Sequence, residues 1–397
     1  MTGRKPVVLV LVGVYLPGFK AGGPTRTIAN LVENLGDEFE FRVVTSDRDL
    51  GDDAPYPGVR ARTWLPVGKA HVWYEPPCRN AAWRMWRVLK ATPHDVLYLN
   101  SFFSVRFTLH PLIAHRFARN RAPIVIAPRG QFSDGALSLK RWKKRPYVAL
   151  FRSLRVLRRA QWQASSSHEA NMISKVIADD LHVAVVPNLP GRPRGQCAAT
   201  SGAGSENPRV LFLSRVSPMK NLSLALRVLR RVDADIDVTI RGPQEDATYW
   251  SQCEELIDRL PPNVRVSVRP AVKPDEVARI MADHDLFFLP TLGENFGHVI
   301  AEALSVGTPV LISDQTPWRN LEADGLGWDL PLVDETGFVK AIEQVAAMTP
   351  AARAAWRERI RSTIAPRLVT PEAIEQNRRL FLDAIAHGQR RRSQRGA

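Results

Sequence analysis

The stretch LPTLGENFGHVIAEALSVGTPVLISD, residues 289–314, begins at the end of one apolar run, DLFFLP (285–290), and contains a second, TPVLIS. Both runs are continuous rather than alternating, which is typical of parallel strands that helices cover on both faces. Apolar residues recur between them at helical spacing: Val299, Ile300, Ala303 and Leu304. Gly307 predicts the end of that helix. The stretch therefore predicts a strand–helix–strand unit of a parallel α/β sheet.

The same pattern recurs along the whole chain of 397 residues. Further strand candidates are VVLVLVGV, FRVVTS, DVLYLN and PIVIAP in the first half, and RVLFLSRV, DVTIRG and VRVSV in the second. A segment rich in Gly, Pro, Ser and Ala separates the halves and predicts a linker. We expect two doubly wound, Rossmann-like domains that face a cleft, with ligands at the carboxyl ends of the strands.

The expected boundaries follow from these patterns. They are an N-terminal domain at 1–190, the linker at 191–208, a C-terminal domain at 209–366, a last helix at 367–388, and a basic, disordered tail at 389–397.

Composition narrows the class of protein. Hydrophobic residues make up 45% and charged residues 24%, as in folded globular proteins. Cys78, Cys197 and Cys253 are far apart and match no metal spacing, so we expect reduced thiols and no metal site. The basic, apolar N-terminus is too short to span a bilayer and has no small-x-small cleavage site, which favours a buried first strand over a signal peptide.

Two carboxylates, Glu294 and Glu302, stand at the predicted start of the helix and inside it. Free backbone N–H groups at such a start attract anions, and carboxylates accept hydrogen bonds from hydroxyls. Together they suit a ligand with hydroxyls at both ends and a phosphate between them, such as a nucleotide sugar. The alternative is two acids that only favour the helix dipole or face solvent.

Cations and glycines occur at other predicted strand-to-helix loops. Arg215 and Lys220 in LSRVSPMKN could hold a diphosphate, although exposed loop charges are the commoner outcome. Gly22 and Gly23 precede a helix for which Thr25 or Thr27 is a candidate cap, and they allow close approach of a phosphate or sugar. Their spacing does not match the dinucleotide-binding fingerprint.

Taken together, the chain resembles the retaining family 4 glycosyltransferases, or glycosyl transferases group 1, which have the GT-B fold. ENFGHVIAEALSVGTPV is similar to the family's E-x7-E element, and SRVSPMKN is similar to its basic phosphate element. IRGP, which contains Gly242, is similar to the end of the next strand, near the base of the nucleotide. The N-terminal GGPTRTIANLV fits the family's glycine loop.

The resemblance implies that the N-terminal domain is the acceptor side and that the last helix packs back on it. It also implies the role of each candidate residue. Glu294 would contact hydroxyls of the transferred sugar and Glu302 the ribose, while Arg215 and Lys220 would hold the diphosphate. Backbone N–H groups of Asn295, Phe296 and Gly297 would approach the sugar and phosphate, and Gly22 and Gly23 would lie close to the donor. Catalysis would rest on Glu294, Arg215 and Lys220.

One departure affects the acceptor or transition-state side. Many members carry a histidine after the strand that here reads DVLYLNSFFS, where this chain has Asn100 and Ser101, with His110 farther on. Asn100 and Arg129 are the candidates to replace it.

These features predict a hexosyltransferase that uses a nucleoside-diphosphate sugar as donor substrate, without metal or other cofactor. Retention is implied by the resemblance. A GT-B epimerase or phosphorylase is the alternative. A glycosidase needs two carboxylates on facing walls, whereas here both lie on one segment beside cations. A nucleic-acid-binding protein is disfavoured because aromatic residues do not interleave with the basic run.

The net charge of +15 is uneven along the chain. Residues 1–190 hold 28 Lys/Arg and 14 Asp/Glu (+14), and residues 191–397 hold 27 and 26 (+1). Residues 135–168 contain nine Lys/Arg and no acid, and part of that run forms an amphipathic helical pattern. We expect segment 140–159 to bind an anionic membrane surface. The alternative is an amphipathic core helix with a solvated basic face, which explains the apolar stripe fully but explains neither the absence of acids nor the charge confined to the first half. The expected enzyme is cytoplasmic, lies peripherally on the inner face of the cell membrane, and acts on a lipid-linked saccharide in surface-polysaccharide or lipopolysaccharide biosynthesis.

Overall fold

A computed structural model of the chain describes residues 4–117, 122–132, 141–153, 160–178, 181–191, 207–244, 246–368 and 370–396. The chain divides into two compact units. Unit 1 comprises residues 1–189 and 371–397, and unit 2 comprises residues 190–370.

In the described part of unit 1, eight strands form one sheet in the order β3-β4-β2-β1-β5-β6-β7-β8. Neighbouring strands are parallel, except that β3 and β4 form an antiparallel hairpin. The strands are β1 Val7–Leu11, β2 Glu40–Ser46, β3 Trp64–Val67, β4 Ala70–Glu75, β5 Val96–Leu99, β6 Ile124–Ile126, β7 Gln161–Ala164 and β8 Val183–Val185.

Helices cover both faces of this sheet, which is why β1 is buried along its whole length. Alternate residues of β1 enter two different cores: Val8 and Val10 pack with one set of helices, and Leu9 and Leu11 with another. The first set is α1 Gly23–Leu35 and α12 Pro371–Gly396; the second is α2 Ala81–Ala91, α3 His110–Arg116, α4 Arg141–Ser153 and α5 Ser167–Val176. A π-helical turn, Val105–Leu109, leads into α3.

The last helix, α12, packs on the unit 1 sheet through its apolar stripe. The Phe381 ring lies edge-on to Phe39, Phe41 and Tyr98, at centroid distances of 5.6, 6.1 and 5.2 Å. Asn377 donates to the Pro187 carbonyl oxygen at 2.9 Å. The chain end is therefore part of unit 1 although it follows unit 2 in sequence.

Unit 2 contains an all-parallel sheet in the order β11-β10-β9-β12-β13-β14 among its described residues. Its strands are β9 Arg209–Leu213, β10 Ile236–Arg241, β11 Val264–Arg269, β12 Leu286–Leu289, β13 Val310–Ser313 and β14 Gly327–Leu330. Its helices are α6 Leu222–Leu229, α7 Ala247–Ile257, α8 Val277–Ala282, α9 His298–Ser305, α10 Glu335–Ala346 and α11 Pro350–Leu368, with a 3-10 turn at Pro218–Lys220. These elements share one buried core.

The prediction of an α/β chain built on two parallel, doubly wound sheets is confirmed. That the two domains face a cleft stays a prediction. The hairpin of β3 and β4 and the short strands β7, β8 and β14 were not predicted, because their apolar runs are short or half exposed.

Three local predictions need correction. Neither Thr25 nor Thr27 caps α1: Gly22 is the N-cap at φ 68°, and the Thr25 hydroxyl donates to the Val14 carbonyl oxygen at 3.0 Å. The last helix begins at Pro371 rather than at residue 367, because α11 continues to Leu368, which is buried in the unit 2 core.

The predicted basic tail at 389–397 is the third correction. It is helical through Gly396 because its arginines and glutamine favour helix and simply extend α12. Most of the predicted linker, residues 192–206, lies outside the described residues.

Candidate functional site

The strand order of unit 2 reverses between β9 and β12, which are neighbours in the sheet but are separated in sequence by β10 and β11. From β9 the chain crosses to β10 on one side, and from β12 it crosses to β13 on the other side. Ligands of open α/β sheets bind at the carboxyl ends of the strands at such a reversal. The loops that follow β9 and β12 hold the predicted residues Arg215, Lys220 and Glu294.

Lys220 and Glu294 form an ion pair between these two loops. The Lys220 Nζ atom donates to Glu294 Oε1, and the two side chains are only 12% and 16% exposed. Backbone contacts hold the loops together: Leu292 N donates to the Met219 carbonyl oxygen at 2.8 Å, and the Thr291 hydroxyl donates to the same oxygen at 3.0 Å. The structure thus places a cation and a carboxylate side by side at the reversal point.

Arg215 and Gly242 lie together at the ends of β9 and β10. A Cβ atom on Gly242, whose φ is 148°, would lie 1.8 Å from the Ser214 carbonyl oxygen and 3.4 Å from Arg215 N. Val216 N donates to the Pro243 carbonyl oxygen at 2.8 Å, which extends the pairing of the two strands past their ends. Only glycine permits this approach, so Gly242 fixes the course of the loop that carries Arg215.

The segment from Asn295 to Gly297 leads into α9, which begins at His298. Gly297 is the N-cap in the left-handed region, at φ 77°, and no side chain caps this helix. The Trp318 indole donates to the Phe296 carbonyl oxygen at 2.7 Å and orients the segment. A helix start without a side-chain cap is a place where an anion can bind.

Glu302 lies one turn into α9 and is half-buried. The turn that follows the helix depends on Gly307, at φ 83°, where a Cβ atom would lie 2.4 Å from the Arg357 carbonyl oxygen of α11. The glycine that marked a helix end in the sequence therefore also lets two helices approach closely.

In unit 1, Gly22 and Gly23 begin α1 in the loop that follows β1. The Asp49 carboxylate accepts from the backbone N–H groups of Phe19 and Lys20, at 2.8 and 3.2 Å, and so fixes this loop. A Cβ atom on either glycine would meet no atom within 4 Å, so the surface beside them is open. Sequence reasoning missed Asp49, because nothing near it in the chain indicates a contact with a loop thirty residues earlier.

Asn100 and Arg129 meet at the ends of the neighbouring strands β5 and β6. The Arg129 Nε and Nη2 atoms donate to Asn100 Oδ1 at 3.1 and 2.8 Å. The guanidinium also donates to Asn188 Oδ1 and to the Tyr98 hydroxyl. Arginine only donates, so the Asn100 oxygen must face it, and the buried Asn100 Nδ2 atom has no hydrogen-bond partner within the described residues.

The Tyr98 hydroxyl both accepts from Arg129 and donates to Gln163 Oε1, which requires the protonated phenol. Burial raises the pKa of Tyr98 above its ordinary value, and the nearby Arg129 charge offsets only part of that rise. The alternative histidine, His110, has a lowered pKa because it is partly desolvated and lies near Arg106. Tyr98 and Asn188 were not predicted, because they carry no motif and act only through Arg129.

The described ranges contain no group of three or more His, Cys, Asp or Glu side chains that could hold a metal ion. No helix in them combines the length and apolar character that a membrane span needs.

Comparisons with known proteins match both units. Residues 198–363 match the family described as Glycosyl transferases group 1, and residues 22–189 match the Glycosyl transferase 4-like domain. Phosphatidyl-myo-inositol mannosyltransferase of Mycolicibacterium smegmatis is 31% identical over 191 residues, which are 47% of this chain and 45% of that protein. D-inositol 3-phosphate glycosyltransferase of Arthrobacter sp. is 29% identical over 157 residues, 36% of each chain.

The chain thus matches less than half the length of these curated relatives. Among solved structures, Anabaena HepE in complex with UDP-glucose shares the fold, with a TM-score of 0.69 over 96% of this chain and 99% of that chain, at 16% identity. The two family matches together span most of both units. The chain therefore belongs to the group 1 glycosyltransferases.

Proposed function

We propose that the protein transfers a hexose from a nucleoside-diphosphate sugar to a saccharide acceptor with retention of the anomeric configuration. The observation that carries this proposal is the Lys220–Glu294 pair at the reversal point of the unit 2 sheet. It sets a cation for a phosphate beside a carboxylate for sugar hydroxyls, as a nucleotide sugar requires.

The donor is held by groups that come from several loops. Arg215 and Lys220 bind the diphosphate, and the N–H groups at the start of α9 add the positive end of a helix. Glu294 accepts from hydroxyls of the transferred sugar, and Glu302 accepts from the ribose. Gly242 keeps the Arg215 loop in place, because the close approach to Ser214 leaves no room for a side chain.

The reaction breaks the bond between the anomeric carbon and the diphosphate through an oxocarbenium-like transition state. Negative charge grows on the departing diphosphate, and the positive charges of Arg215 and Lys220 stabilise it. Contacts of this kind contribute about 3 to 4 kcal/mol each at comparable sites. The departing phosphate takes the proton of the acceptor hydroxyl, and these cations supply the charge that a metal ion supplies in other transferases.

Asn100 and Arg129 serve the acceptor or transition-state side. Arg129 fixes the amide of Asn100 so that Nδ2 remains as an unused donor. A hydroxyl or ring oxygen of a bound sugar would give that atom its missing partner, once the surrounding loop moves to admit it. The amide does not titrate, so it would donate at every pH, unlike a histidine.

The acceptor is a lipid-linked saccharide of surface-polysaccharide or lipopolysaccharide assembly, and the protein works at the cytoplasmic face of the membrane. The name of the mycobacterial mannosyltransferase, which includes phosphatidylinositol, supports a lipid acceptor. The uneven charge supports attachment to anionic lipid through segment 140–159. Lys140 and residues 154–159 lie outside the described residues. The inositol-phosphate relative makes a soluble acceptor the competing outcome.

The test is release of nucleoside diphosphate from UDP-, GDP- and ADP-sugars, with and without a lipid-linked acceptor. Release that depends on acceptor, together with a glycosidic product of retained configuration, is expected. An epimer or free sugar phosphate in place of that product would identify an epimerase or a phosphorylase. Arg215→Gln should abolish donor release, whereas Arg265→Gln, which removes an exposed arginine paired with Asp237, should not.

A further inference from the structure

One outward face of helix α2 carries two tryptophans and two cations at helical spacing. Trp83, Trp86, Arg87 and Lys90 line a shallow surface crevice together with Ala91. The opposite face of the helix, with Met85, Val88 and Leu89, is buried in the unit 1 core. Trp86 is half-buried and packs against the edge of that core, whereas Trp83, Arg87 and Lys90 are exposed and are not needed to anchor the helix. The exposure of these three residues needs another explanation.

The cations and rings are arranged in pairs. The Arg87 guanidinium lies 4.8 Å from the centre of the Trp83 ring, and Lys90 Nζ lies 5.0 Å from the centre of the Trp86 ring. Trp83 is 52% exposed. Exposed tryptophans with adjacent cations are typical of a membrane interface, where the ring lies at headgroup level and the cation contacts phosphate.

Apolar exposure continues on the helices beside α2. Helix α3 packs against α2 and exposes Ile113 by 47%, and Phe117 directly after it is 74% exposed. Helix α4 packs on the same face of the sheet and exposes Trp142 by 74%. A layer of helices on one side of unit 1 thus presents large apolar side chains outward, which is unusual for a surface that contacts only water.

The charge of this layer has one sign. Residues 76–94 contain Arg79, Arg84, Arg87 and Lys90 and no Asp or Glu, and residues 96–133 contain no acid either. Exposed cations beside exposed rings complement a negatively charged, partly apolar surface. If this face bound a second copy of itself, acids would have to pair with these cations, and helices α2, α3 and α4 contain no Asp or Glu.

We propose that the α2 face, defined by Trp83, Trp86, Arg87 and Lys90, binds the headgroup region of an anionic lipid bilayer, and that Ile113, Phe117 and Trp142 extend the contact. Apart from Trp142, the residues of this site lie outside segment 140–159, and the site does not depend on which sugar is transferred. It would orient unit 1 on the membrane through its helical layer.

The test is sedimentation of the full chain with vesicles of phosphatidylglycerol and phosphatidylcholine, and with vesicles of phosphatidylcholine alone. Anionic lipid attracts each nearby cation by about 1 kcal/mol, so the Arg87→Gln/Lys90→Gln variant should bind roughly thirtyfold more weakly to the anionic vesicles. The matched control is Arg230→Gln/Arg359→Gln, which removes two exposed cations from unit 2 and should bind as the wild type does.

Fluorescence quenching by brominated lipid gives a second measurement that does not rest on charge. The Trp83→Phe variant should lose a clear part of the quenching while keeping its affinity, because the ring itself enters the interface. Equal vesicle binding by Arg87→Gln/Lys90→Gln and the wild type, or quenching unchanged in Trp83→Phe, would overturn the proposal. Concentration-dependent dimerisation through this face, or binding of a soluble glycan instead of vesicles, would overturn it as well.

The proposed transferase activity can be tested separately from the binding of vesicles by the α2 face. Nucleotide release measured with a detergent-solubilised acceptor needs no contact with a vesicle, so it should be the same in the Arg87→Gln/Lys90→Gln variant and the wild type. Loss of vesicle binding with normal donor release supports the α2 face. If neither the wild type nor the variant releases nucleotide while the wild type binds vesicles, the proposed function is rejected and the proposal for the α2 face is retained.

Discussion

Glutamine in place of Glu294 tests whether Lys220 holds the donor diphosphate. From its position at a loop, Glu294 would be expected to be replaceable without loss of stability. The structure changes that expectation, because the carboxylate pairs with Lys220 and both side chains are largely buried. Glu294→Gln keeps the size and one acceptor oxygen but leaves the Lys220 ammonium without a counter-charge.

The stability change follows from this burial. Breaking a fully buried pair costs about 3 to 5 kcal/mol, and residual exposure reduces this to about 2 kcal/mol. For a domain of the size of unit 2, residues 190–370, the melting temperature should therefore fall by roughly 4 to 8 °C. The matched control is Asp285→Asn, which breaks a buried pair with Arg353 (3.5 Å) at the opposite, amino-terminal end of β12 and should destabilise by a similar amount.

Nucleoside diphosphate separates the two variants. At a ligand concentration of about 100 times Kd, binding stabilises the wild type by about 2.7 kcal/mol. In Glu294→Gln the stabilisation should be larger, because Lys220 no longer has to share its charge with a carboxylate. Asp285→Asn should respond as the wild type does.

Lys220→Met removes the proposed diphosphate contact. A lost charge-assisted hydrogen bond of about 1.5 to 3 kcal/mol weakens binding roughly tenfold to a hundredfold, so the same ligand should stabilise by only about 0.4 to 1.4 kcal/mol. The assay is thermal unfolding with and without UDP, GDP and ADP, followed by turnover. An undiminished nucleotide effect in Lys220→Met would refute the diphosphate role, and wild-type turnover in Glu294→Gln would refute the catalytic role of the carboxylate.

Three further changes test other parts of the structure. Asn100→Asp keeps the oxygen that accepts from Arg129 but replaces the unpartnered donor, so turnover should fall about 100-fold. The control Asn188→Asp makes the same chemical change beside the same arginine and should retain most activity. Equal effects of the two substitutions would mean that only the added charge matters. Gly242→Ala should weaken nucleotide binding about tenfold or more in a calorimetric titration, because its Cβ would overlap the Ser214 carbonyl oxygen, at a cost well above 1.4 kcal/mol. Phe381→Ala should destabilise unit 1 by about 3 to 5 kcal/mol in chemical denaturation, since it removes a buried ring from three aromatic contacts; a loss below about 1 kcal/mol would argue against α12 as part of that core.

The elements of the fold were largely visible in the sequence. Continuous apolar runs such as DLFFLP and TPVLIS predicted strands that are buried on both faces, and the structure has β12 and β13 there. The apolar period that begins at Ile28 predicted α1 in the same way. Such patterns are local because burial of a strand or of one helix stripe depends on residues that are close in sequence.

The sequence also placed the candidate residues at strand ends. A parallel sheet brings all carboxyl ends of its strands to one edge, so Arg215, Glu294 and Gly242 had to lie along the same edge of unit 2. The motif from Glu294 to Glu302 was identified by its similarity to the E-x7-E element and by the Gly-x-Pro-Val that follows it. Spacing did not reveal which of these side chains touch each other.

Only the tertiary structure decided those contacts. Lys220 meets Glu294 because β9 and β12 become neighbours across 74 residues of chain. A side chain on Gly242 would overlap the Ser214 carbonyl oxygen, just after the neighbouring strand β9, and a side chain on Gly307 would overlap the Arg357 carbonyl oxygen of α11. The main constraint on each glycine therefore comes from a distant segment of the chain. Strand order and helix packing are properties of the assembled core, and no local pattern of residues carries them.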